Sequence, residues 1–356
     1  MKRFVQLHLL TFYPPSNLNR DDTGKPKTAI IGGATRLRIS SQALKRAWRT
    51  SDIAETILEH HLGKRTQRLG SVVLDHLKGR IDDAKALEIA REVASAFGKV
   101  KAENDKNPEF TEQLAFVSPE EREAALAYAD ARAAGTKPTE EKKALAGILL
   151  RKTDTAADIA MFGRMLADMP DFNREAAVQV AHAITTHKVA VDDDYYTAVD
   201  DLKTAAEDAG AGFIGETGFG AGVFYLYINI DRALLLKNLG GDTDVAKKAI
   251  EALIAAAAKI GPRGKSASFA SFARAAHILA ERGDASPRTL AGAFLDPIDR
   301  IAREKSQLVA SVEQLRATRE KFVKAYGDED VSIAEMDALS GTGSLQEIIA
   351  FAIEGL

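Results

Sequence analysis

Hydrophobic and polar positions alternate in a few segments of this 356-residue sequence, and these segments predict strands. The stretch GVFYLYINI at 222–230 has the strongest strand pattern, with aromatic and β-branched side chains. Residues 3–12 have a similar composition and predict a central strand, which Pro14-Pro15 should end because proline lacks a backbone donor. The predicted strands are 3–12, 178–189, 222–230 and 274–281.

Helical periodicity predicts amphipathic helices at 40–60 and 242–259, between these strands. The resulting order is strand, helix, strand, strand, helix, strand, which is the split βαβ arrangement of ferredoxin-like folds and of RNA-recognition domains. We therefore expect an α+β protein with a ferredoxin-like (RRM-like) core, although topology alone does not define a function. Further helices are predicted near 286–297, 298–326 and 343–355.

Two segments interrupt this order. Residues 61–165 are alanine-rich and charged, and they predict several inserted helices; an independent helical domain fits the same pattern nearly as well. Residues 190–222 are acidic at first and then glycine-rich, which is too long a stretch for a simple turn. Long loops inside compact domains are usually functional or disordered.

Composition narrows the class of protein without identifying it. A hydrophobic fraction of 46% and a charged fraction of 28% are typical of globular proteins, here with one large domain or two ordinary ones. The lack of cysteine excludes disulfides, thiolate zinc sites and a cysteine nucleophile. No window approaches the roughly 18 apolar residues that span a bilayer. We expect a cytoplasmic protein with no membrane association and no cofactor.

Positive charge is concentrated in residues 16–49, whereas the whole chain has a net charge of −3. A local excess of this kind favours one anionic partner held at one place, and we interpret that partner as RNA. The same segment contains a predicted hairpin, in which Ile30-Ile31-Gly32-Gly33 leads into 35–39 and places Arg36 and Arg38 on one face. Its cations are Arg20, Lys25, Lys27, Arg36, Arg38, Lys45, Arg46 and Arg49, against Asp21 and Asp22.

The helix after this hairpin is predicted to present its polar side chains on one face. Ser40 or Ser41 is the expected N-cap, and the spacing i, i+3, i+4 and i+7 places four polar residues in one stripe. Leu44, Ala47, Trp48 and Leu58 should pack on the sheet. An ordinary solvated helix face is the alternative interpretation. The stripe, called the polar stripe below, consists of Gln42, Lys45, Arg46 and Arg49.

The side-chain types in this region suit contacts with a nucleic-acid backbone. Long cations bind phosphates, while Ser40, Gln42 and Asn19, together with the amides of Gly32-Gly33, can donate to phosphate or sugar oxygens. Such a set predicts strongly salt-dependent binding with little sequence preference.

Patterns that would indicate catalysis or metal binding are weak. His182 and His187 lie five residues apart in a predicted strand and should face opposite sides, so they predict no metal pair. Asp192-Asp193-Asp194 is more typical of a solvated loop than of a cation site. The segment GPRGKS at 261–266 lacks the first glycine of a phosphate-binding loop. We expect no metal site and no catalytic residues.

Several sequence blocks resemble one protein family, the CasC-type backbone subunits of the type I-E CRISPR Cascade complex. The blocks lie in both halves of the chain, whereas the helical segment carries almost none of the resemblance. They are LNRDD at 18–22, IIGG at 30–33, RLRISSQALKRAWR at 36–49, HAITTH at 182–187, TAVDDL at 197–202 and GVFYLYINI at 222–230.

The resemblance implies an architecture and a set of partners. It implies a ferredoxin-like palm at 1–60 and 166–356, helical fingers at 61–165, and a thumb hairpin at about 190–222. Copies of the chain would assemble as a helical filament along CRISPR RNA (crRNA), beside other Cascade subunits. Target DNA would be contacted through the guide duplex during antiviral defence.

The resemblance also assigns residues by matching position. Met165 would wedge against a base, and Arg46 would lie beside the phosphate contacts. Tyr196, Thr197 and Val199 would form the thumb base, with Ile214 nearer its tip; the family often has tryptophan before an aromatic where this chain has Tyr195-Tyr196. The residues expected to hold guide phosphates are Arg20, Lys27, Ser40, Gln42, Lys45 and Arg49.

The sequence therefore predicts a non-catalytic crRNA-binding backbone subunit. One alternative is a CRISPR RNA-processing endoribonuclease on the same topology, with His182 and His187 as its candidate residues. A self-assembling scaffold without nucleic acid is another.

Overall fold

An antiparallel sheet is the largest element of the computed structural model, which describes residues 1–139, 141–198, 213–298, 305–328 and 330–356. Strands β4 and β5 form a separate two-stranded ribbon, and the other described strands belong to the large sheet. The strands are β1 Phe4–Ser16, β2 Thr28–Ile31, β3 Ala34–Ile39, β4 Lys64–Thr66, β5 Ala115–Val117, β6 Val178–Val180, β7 Ala183–Thr185, β8 Asp192–Ala198, β9 Phe213–Asp231, β10 Ala275–Gly283 and β11 Ser332–Asp337.

Helices cover the sheet and make up most of the segment between β3 and β6. Short 3-10 turns lie at Pro170–Phe172 and Ala291–Phe294. The α-helices are α1 Ser41–Arg49, α2 Asp52–Ile57, α3 Leu69–Leu77, α4 Asp83–Ser95, α5 Pro119–Ala133, α6 Lys142–Leu149, α7 Ala157–Phe162, α8 Arg232–Asn238, α9 Thr243–Lys259, α10 Ser266–Phe269, α11 Gln307–Tyr326 and α12 Leu345–Ile353. None of the described helices is long and apolar enough to cross a membrane.

Strand β1 is central, as its composition predicts. It pairs antiparallel with β9 on one side and with β10 on the other, and the sheet order is β11-β10-β1-β9-β7-β3-β2. The predicted stop at Pro14-Pro15 is wrong, because β1 continues to Ser16. The prolines instead coincide with an irregularity in the pairing with β9 between Tyr13 and Ser16, where donors are missing.

The two faces of the sheet contact different helices. Alternate residues of β1 such as Leu7 and Leu9 belong to a large apolar core that includes residues of α1, α9 and α12. Leu10 faces the opposite side, in a smaller core with Phe294 and with Leu315 of α11. A third apolar core lies wholly within residues 69–172. The domain boundaries at 60/61 and 165/166 remain a prediction.

Several predicted elements differ in the structure. The helix expected at 40–60 is two helices, because Ser51 caps α2 immediately after α1 ends. The strand expected at 178–189 is the two short strands β6 and β7. The helix expected at 286–297 is only a 3-10 turn, and β11 was not predicted. In the segment 190–222, β8 pairs with β9 as a hairpin whose connection, 199–212, lies outside the described residues.

The hairpin predicted at 30–39 is confirmed as β2 and β3, which begin at Thr28 and have Gly32 and Gly33 at their turn. Both glycines have positive φ, of +58° and +71°, where residues with a Cβ are disfavoured. They differ in their surroundings. A Cβ at Gly32 would lie 1.7 Å from the carbonyl oxygen of Leu295, whereas a Cβ at Gly33 would meet open space.

We predict that Gly32→Ala lowers the free energy of unfolding more than Gly33→Ala does. The left-handed backbone costs both variants about 1–2 kcal/mol, and the contact with Leu295 adds roughly 1–3 kcal/mol at Gly32 alone. Urea unfolding of both variants measures this difference, with Gly33→Ala as the matched control for the backbone term. Equal losses would show that the hairpin turn does not pack against Leu295.

Candidate nucleic-acid interface

Helix α1 begins at a side-chain cap that the sequence predicts. Ser40 Oγ accepts a hydrogen bond from the Ala43 amide at 3.3 Å, and the Ser40 amide donates to Asn19 Oδ1 at 2.8 Å. The last turn contains Arg46 and Arg49, where positive charge is favoured by the helix dipole. Ser40 is buried, and its hydroxyl oxygen is engaged in capping.

Trp48 fixes which face of α1 is turned outward. Its side chain is 2% exposed, and its indole Nε1–H donates to the backbone oxygen of Ile260 at 3.1 Å, just past the end of α9. Leu44 is buried on the same face. The polar stripe therefore faces away from the core, as its spacing predicts.

The polar stripe forms one wall of a groove of about 630 Å³. The ribbon of β4 and β5 and its flanks also line the groove, through residues that include Arg65 and Gln67. Phe116 and Phe162 also line the groove. The polar stripe and Met165, which were predicted separately, are thus brought together in one place.

Two cations of the stripe lie over aromatic rings. Lys45 Nζ is 5.4 Å from the ring centre of Phe162, and the Arg49 guanidinium is 4.8 Å from that of Phe116. Burial lowers the pKa of Lys45, and it lowers the pKa of Arg49 as well. Cation–π contacts of this kind partly replace the lost hydration and hold the charges in position.

A buried carboxylate lies behind Arg49. The Asp158 side chain is 1% exposed, and its Oδ2 is 3.8 Å from Arg49 Nη1. Its Oδ1 accepts hydrogen bonds from the amides of Gly63 at 2.8 Å and Ile159 at 3.0 Å. Burial raises the pKa of Asp158 to about 7, against the opposing effects of the Gly63 amide and the Arg49 charge. No sequence pattern marks Asp158, because its proximity to Arg49 exists only in the folded chain.

Apolar side chains lie at the rim of the groove. Met165 is 81% exposed and Leu114 is 54% exposed, and both line the groove. Large exposed apolar residues beside cations are suitable for contact with a base face. Leu114, Arg65 and Gln67 were not among the predicted residues.

Arg20 and Lys27 do not line the groove, and each of them lines a different cavity. Arg20 lines a cavity of about 340 Å³ with Lys25 and Lys265, where Lys25 pairs with Asp193 at 3.0 Å and Glu216 at 3.7 Å. Lys27 is half-buried in a small hollow that Asn19 and Arg38 also line.

Arg36 is not part of an exposed cationic surface, so counting it there was wrong. Its side chain is fully buried, with Nη1 donating to the Thr185 carbonyl at 3.0 Å and Nη2 to the Phe294 carbonyl at 2.9 Å. Strand β7 and the 3-10 turn cover its end of β3. Arg38 remains partly exposed and donates to His182 Nδ1 at 2.9 Å.

The hairpin residues predicted to contact RNA fall into three groups. Tyr196 and Thr197 are exposed on β8. Ile214 lies in β9, with its backbone opposite Thr197. Val199 lies outside the described residues.

The two histidines considered for catalysis are engaged within the protein. His187 Nε2 accepts from the Val223 amide at 3.2 Å, and its Nδ1 lies 3.1 Å from the Lys188 carbonyl. Burial lowers the pKa of His187, and burial together with Arg38 lowers that of His182. In the described part of the chain, no three His, Asp or Glu side chains are grouped to hold a metal ion.

The fold and the groove define a mixed α/β protein whose antiparallel sheet supports a helix with an outward row of cations. The chain belongs to the family of CT1975-like proteins, whose model matches residues 5–351. No curated protein matches the sequence.

Solved structures include similar chains. A chain described as "CRISPR RNA-guided surveillance complex, pre-nicking" has 28% identity and a TM-score of 0.84, over 98% of this chain and 99% of that chain. A chain described as "CRISPR RNA-guided surveillance complex" has 25% identity and a TM-score of 0.73, over 99% and 100%. Together with the family match, these similarities confirm the resemblance to Cascade backbone subunits.

Asp158 gives a prediction for stability against pH. Its pKa of about 7 in the folded state lies above the ordinary 3.8. Its contribution to the free energy of unfolding is therefore complete below pH about 4 and is lost as the pH rises through about 7. Asp158→Asn keeps the neutral form, so it should gain stability relative to the native chain between these pH values. Since one pKa unit is worth about 1.4 kcal/mol, we expect a relative gain of a few kcal/mol.

Urea unfolding at several pH values measures this gain. Asp22→Asn is the control, because Asp22 is exposed and its variant should follow the native chain at every pH. A constant difference between Asp158→Asn and the native chain would contradict a raised pKa at Asp158.

Proposed function

We propose that this chain is a non-catalytic crRNA-binding backbone subunit of a type I-E CRISPR Cascade complex, acting in antiviral recognition of target DNA. The observation that carries the proposal is the groove, which Lys45, Arg46, Arg49 and Arg65 line together with the exposed Met165. The similar solved chains come from CRISPR RNA-guided surveillance complexes, which supports crRNA and other complex subunits as partners.

The chemistry of the groove suits the backbone of a single strand. Gln42, Lys45 and Arg49 would bind phosphates, with Arg46 beside them. Met165 at the rim would contact a base, because an apolar side chain can pack on any base. Phosphate contacts position a strand without reading its sequence, so target choice would be left to pairing between guide and DNA.

The remaining predicted residues extend the proposed RNA path. Arg20 would bind phosphate in the cavity that Lys25 and Lys265 also line, and Lys27 would do so from its neighbouring hollow. Ser40 would add a donor through its hydroxyl hydrogen, since its oxygen accepts from the Ala43 amide. The hairpin residues proposed to displace a guide nucleotide are Tyr196, Thr197, Val199 and Ile214.

The proposal includes a ferredoxin-like palm. In chain order, the four predicted strands correspond to β1, to β6 with β7, to β9 and to β10. In the sheet they lie in the order β10-β1-β9-β7, so the fourth strand lies beside the first and the third lies beside the second. Helices α1 and α9 pack in the same apolar core, on one face of these strands. Both features support a split βαβ palm, with fingers at 61–165 and a thumb at 190–222.

A non-catalytic role is preferred to guide processing. A ribonuclease would need a histidine or a pair of acids free to act on the RNA. His187 is hydrogen-bonded to the backbone and His182 is in contact with Arg38, and these contacts support the non-catalytic role. Copies of the chain would line the guide as a filament in the cytoplasm.

We predict that Lys45→Ala combined with Arg49→Ala weakens binding of single-stranded guide RNA and flattens its salt dependence. Each lost phosphate contact lowers the slope of log affinity against log salt by ~0.7, so the double variant should lose about 1.4. Fluorescence anisotropy across a salt series measures both quantities. The absorbance ratio of the purified native chain provides a second measurement, because bound RNA should copurify.

The matched control is Lys321→Ala with Lys324→Ala, which removes two exposed charges from α11. This control should keep the native slope. An unchanged slope in the Lys45 and Arg49 double variant would place the RNA elsewhere. Cleavage of a guide precursor by the native chain alone would contradict the non-catalytic role.

We predict that replacing 199–212 with Asn-Gly spares folding but impairs assembly along the guide. The two residues can close a tight turn between the paired positions Ala198 and Phe213. Thermal unfolding should be close to native, because β8 and β9 are retained. Electron microscopy of particles formed on guide RNA measures the assembly, and arcs of native length would count against a thumb in this hairpin.

A further inference from the structure

We propose that Arg65, supported by Gln67, forms a second RNA-binding wall that contacts the same strand from the side opposite α1. This inference rests on the proposed function of the groove. It adds a binding element from the ribbon of β4 and β5, which carries none of the residues predicted from the sequence.

The register of the ribbon places Arg65 beside Arg49. In the antiparallel pairing of β4 with β5, Arg65 lies directly opposite Phe116. Side chains at directly opposite positions project to the same face. The Phe116 ring carries the Arg49 guanidinium at 4.8 Å, so Arg65 and Arg49 meet at one point of the groove from two separate elements.

Cations outnumber acids at this point: Glu112 is the one acid among the described residues that line the groove and pairs with Lys99 at 2.7 Å, while Asp158 lies behind Arg49. Burial is the largest cause of the lowered pKa of Arg49; the charge of Asp158 opposes it, and the positive charges of Arg65 and Arg46 lower the pKa further. Neither Arg46 nor Arg65 forms an ion pair with any carboxylate in the described ranges of the chain. Like charges that line one groove repel one another, and a phosphate group between the two walls would offset that repulsion.

Other arginines of the same helical segment have a different environment. Arg164, which also lines the groove, forms a buried ion pair with Glu121 at 2.6 Å. Arg132 pairs with Glu92 at 2.8 Å. Arg164 and Arg132 are therefore paired with carboxylates, whereas Arg65 is exposed in the groove.

The second wall is held rigidly. The amide of Gly63, just before β4, donates to Asp158 Oδ1 at 2.8 Å, and Asp158 also faces Arg49. Gln67 Nε2 donates to the Glu112 carbonyl at 2.8 Å. The Thr111 amide donates to the Gln67 carbonyl at 3.1 Å. A preformed wall loses little conformational entropy when a strand binds.

Arg65→Gln and Arg68→Gln test the proposal as a matched pair. Arg68 is exposed three residues further along, with its guanidinium 5.4 Å from the Phe110 ring centre, and it does not line the groove. With fluorescein-labelled single-stranded RNA of mixed sequence, Arg65→Gln should bind about tenfold more weakly. Its salt slope should fall by ~0.7. Arg68→Gln should match the native chain, and Arg65→Lys should keep the slope.

If Arg65→Gln and Arg68→Gln bind the RNA equally, whether with native or with reduced affinity, the proposal of a second wall is wrong. If the Lys45 and Arg49 double variant still loses affinity in that case, the proposed function stands without it. If all of these variants bind the RNA with native affinity, the proposed function is contradicted as well.

A measurement on the native chain avoids dependence on the folding of a variant. Modification of arginines by a dicarbonyl reagent can be mapped by mass spectrometry with and without the same RNA. Arg65 should be protected by RNA, while Arg68 should react equally in both samples. Unprotected Arg65 in a sample where Arg49 is protected would overturn the second wall alone.

Discussion

The burial of Trp48 is the interaction on which the groove depends. Helix α1 has only nine residues, and an isolated helix of that length is marginal in water. Its orientation must come from tertiary packing. The indole ring is buried, and its Nε1–H donates to the Ile260 carbonyl, which fixes the rotation of α1 about its axis. Full burial of a large apolar side chain contributes about 1.5–3 kcal/mol, which opposes the cost of partly desolvating the cations on the opposite face.

Partial desolvation changes what these cations can do. Lys45 and Arg49 lie over aromatic rings, and burial lowers the pKa of both. A cation that has already lost part of its hydration gives up less water when it meets an anion, and its attraction acts through a lower effective dielectric. The free-energy cost of this desolvation is already present in the protein alone, and the Asp158 carboxylate behind Arg49 reduces it. The groove therefore presents cations that have already lost part of their hydration.

Local pattern was enough to predict α1 and its polar stripe, because a 3.6-residue period and a Ser cap are encoded within ten residues. The second wall could not be found in this way. Strand β4 has three residues, and Arg65 reaches the groove only because β4 pairs with the distant β5. The same limit explains Arg36, whose burial depends on β7 and on the turn at Ala291–Phe294. The break between α1 and α2 did have a local signal, since Ser51 followed by Asp52 is a helix start.

Strand β9 links the sheet to the hairpin through its glycines. Alternate positions of a strand share a face, and the alternate residues Gly218, Gly220 and Gly222 belong to the stretch GFGAG. A Cβ at Gly220 would lie 2.8 Å from Leu37, and one at Gly222 would lie 2.9 Å from His187. The glycines thus let neighbouring parts of the same chain approach closely.

This close approach has a consequence for the surface around Arg20. The Asn17 side-chain amide donates to the carbonyl oxygens of both Gly24 and Gly218, at 2.9 Å each. The loop that carries Arg20 is therefore tied to the base of the hairpin. Because β9 also pairs with β1 along most of its length, movement of the hairpin base against this loop would disturb the centre of the sheet. The cavity lined by Arg20 is consequently anchored to the sheet, since Thr217 and Gly218 of β9 line it beside the loop.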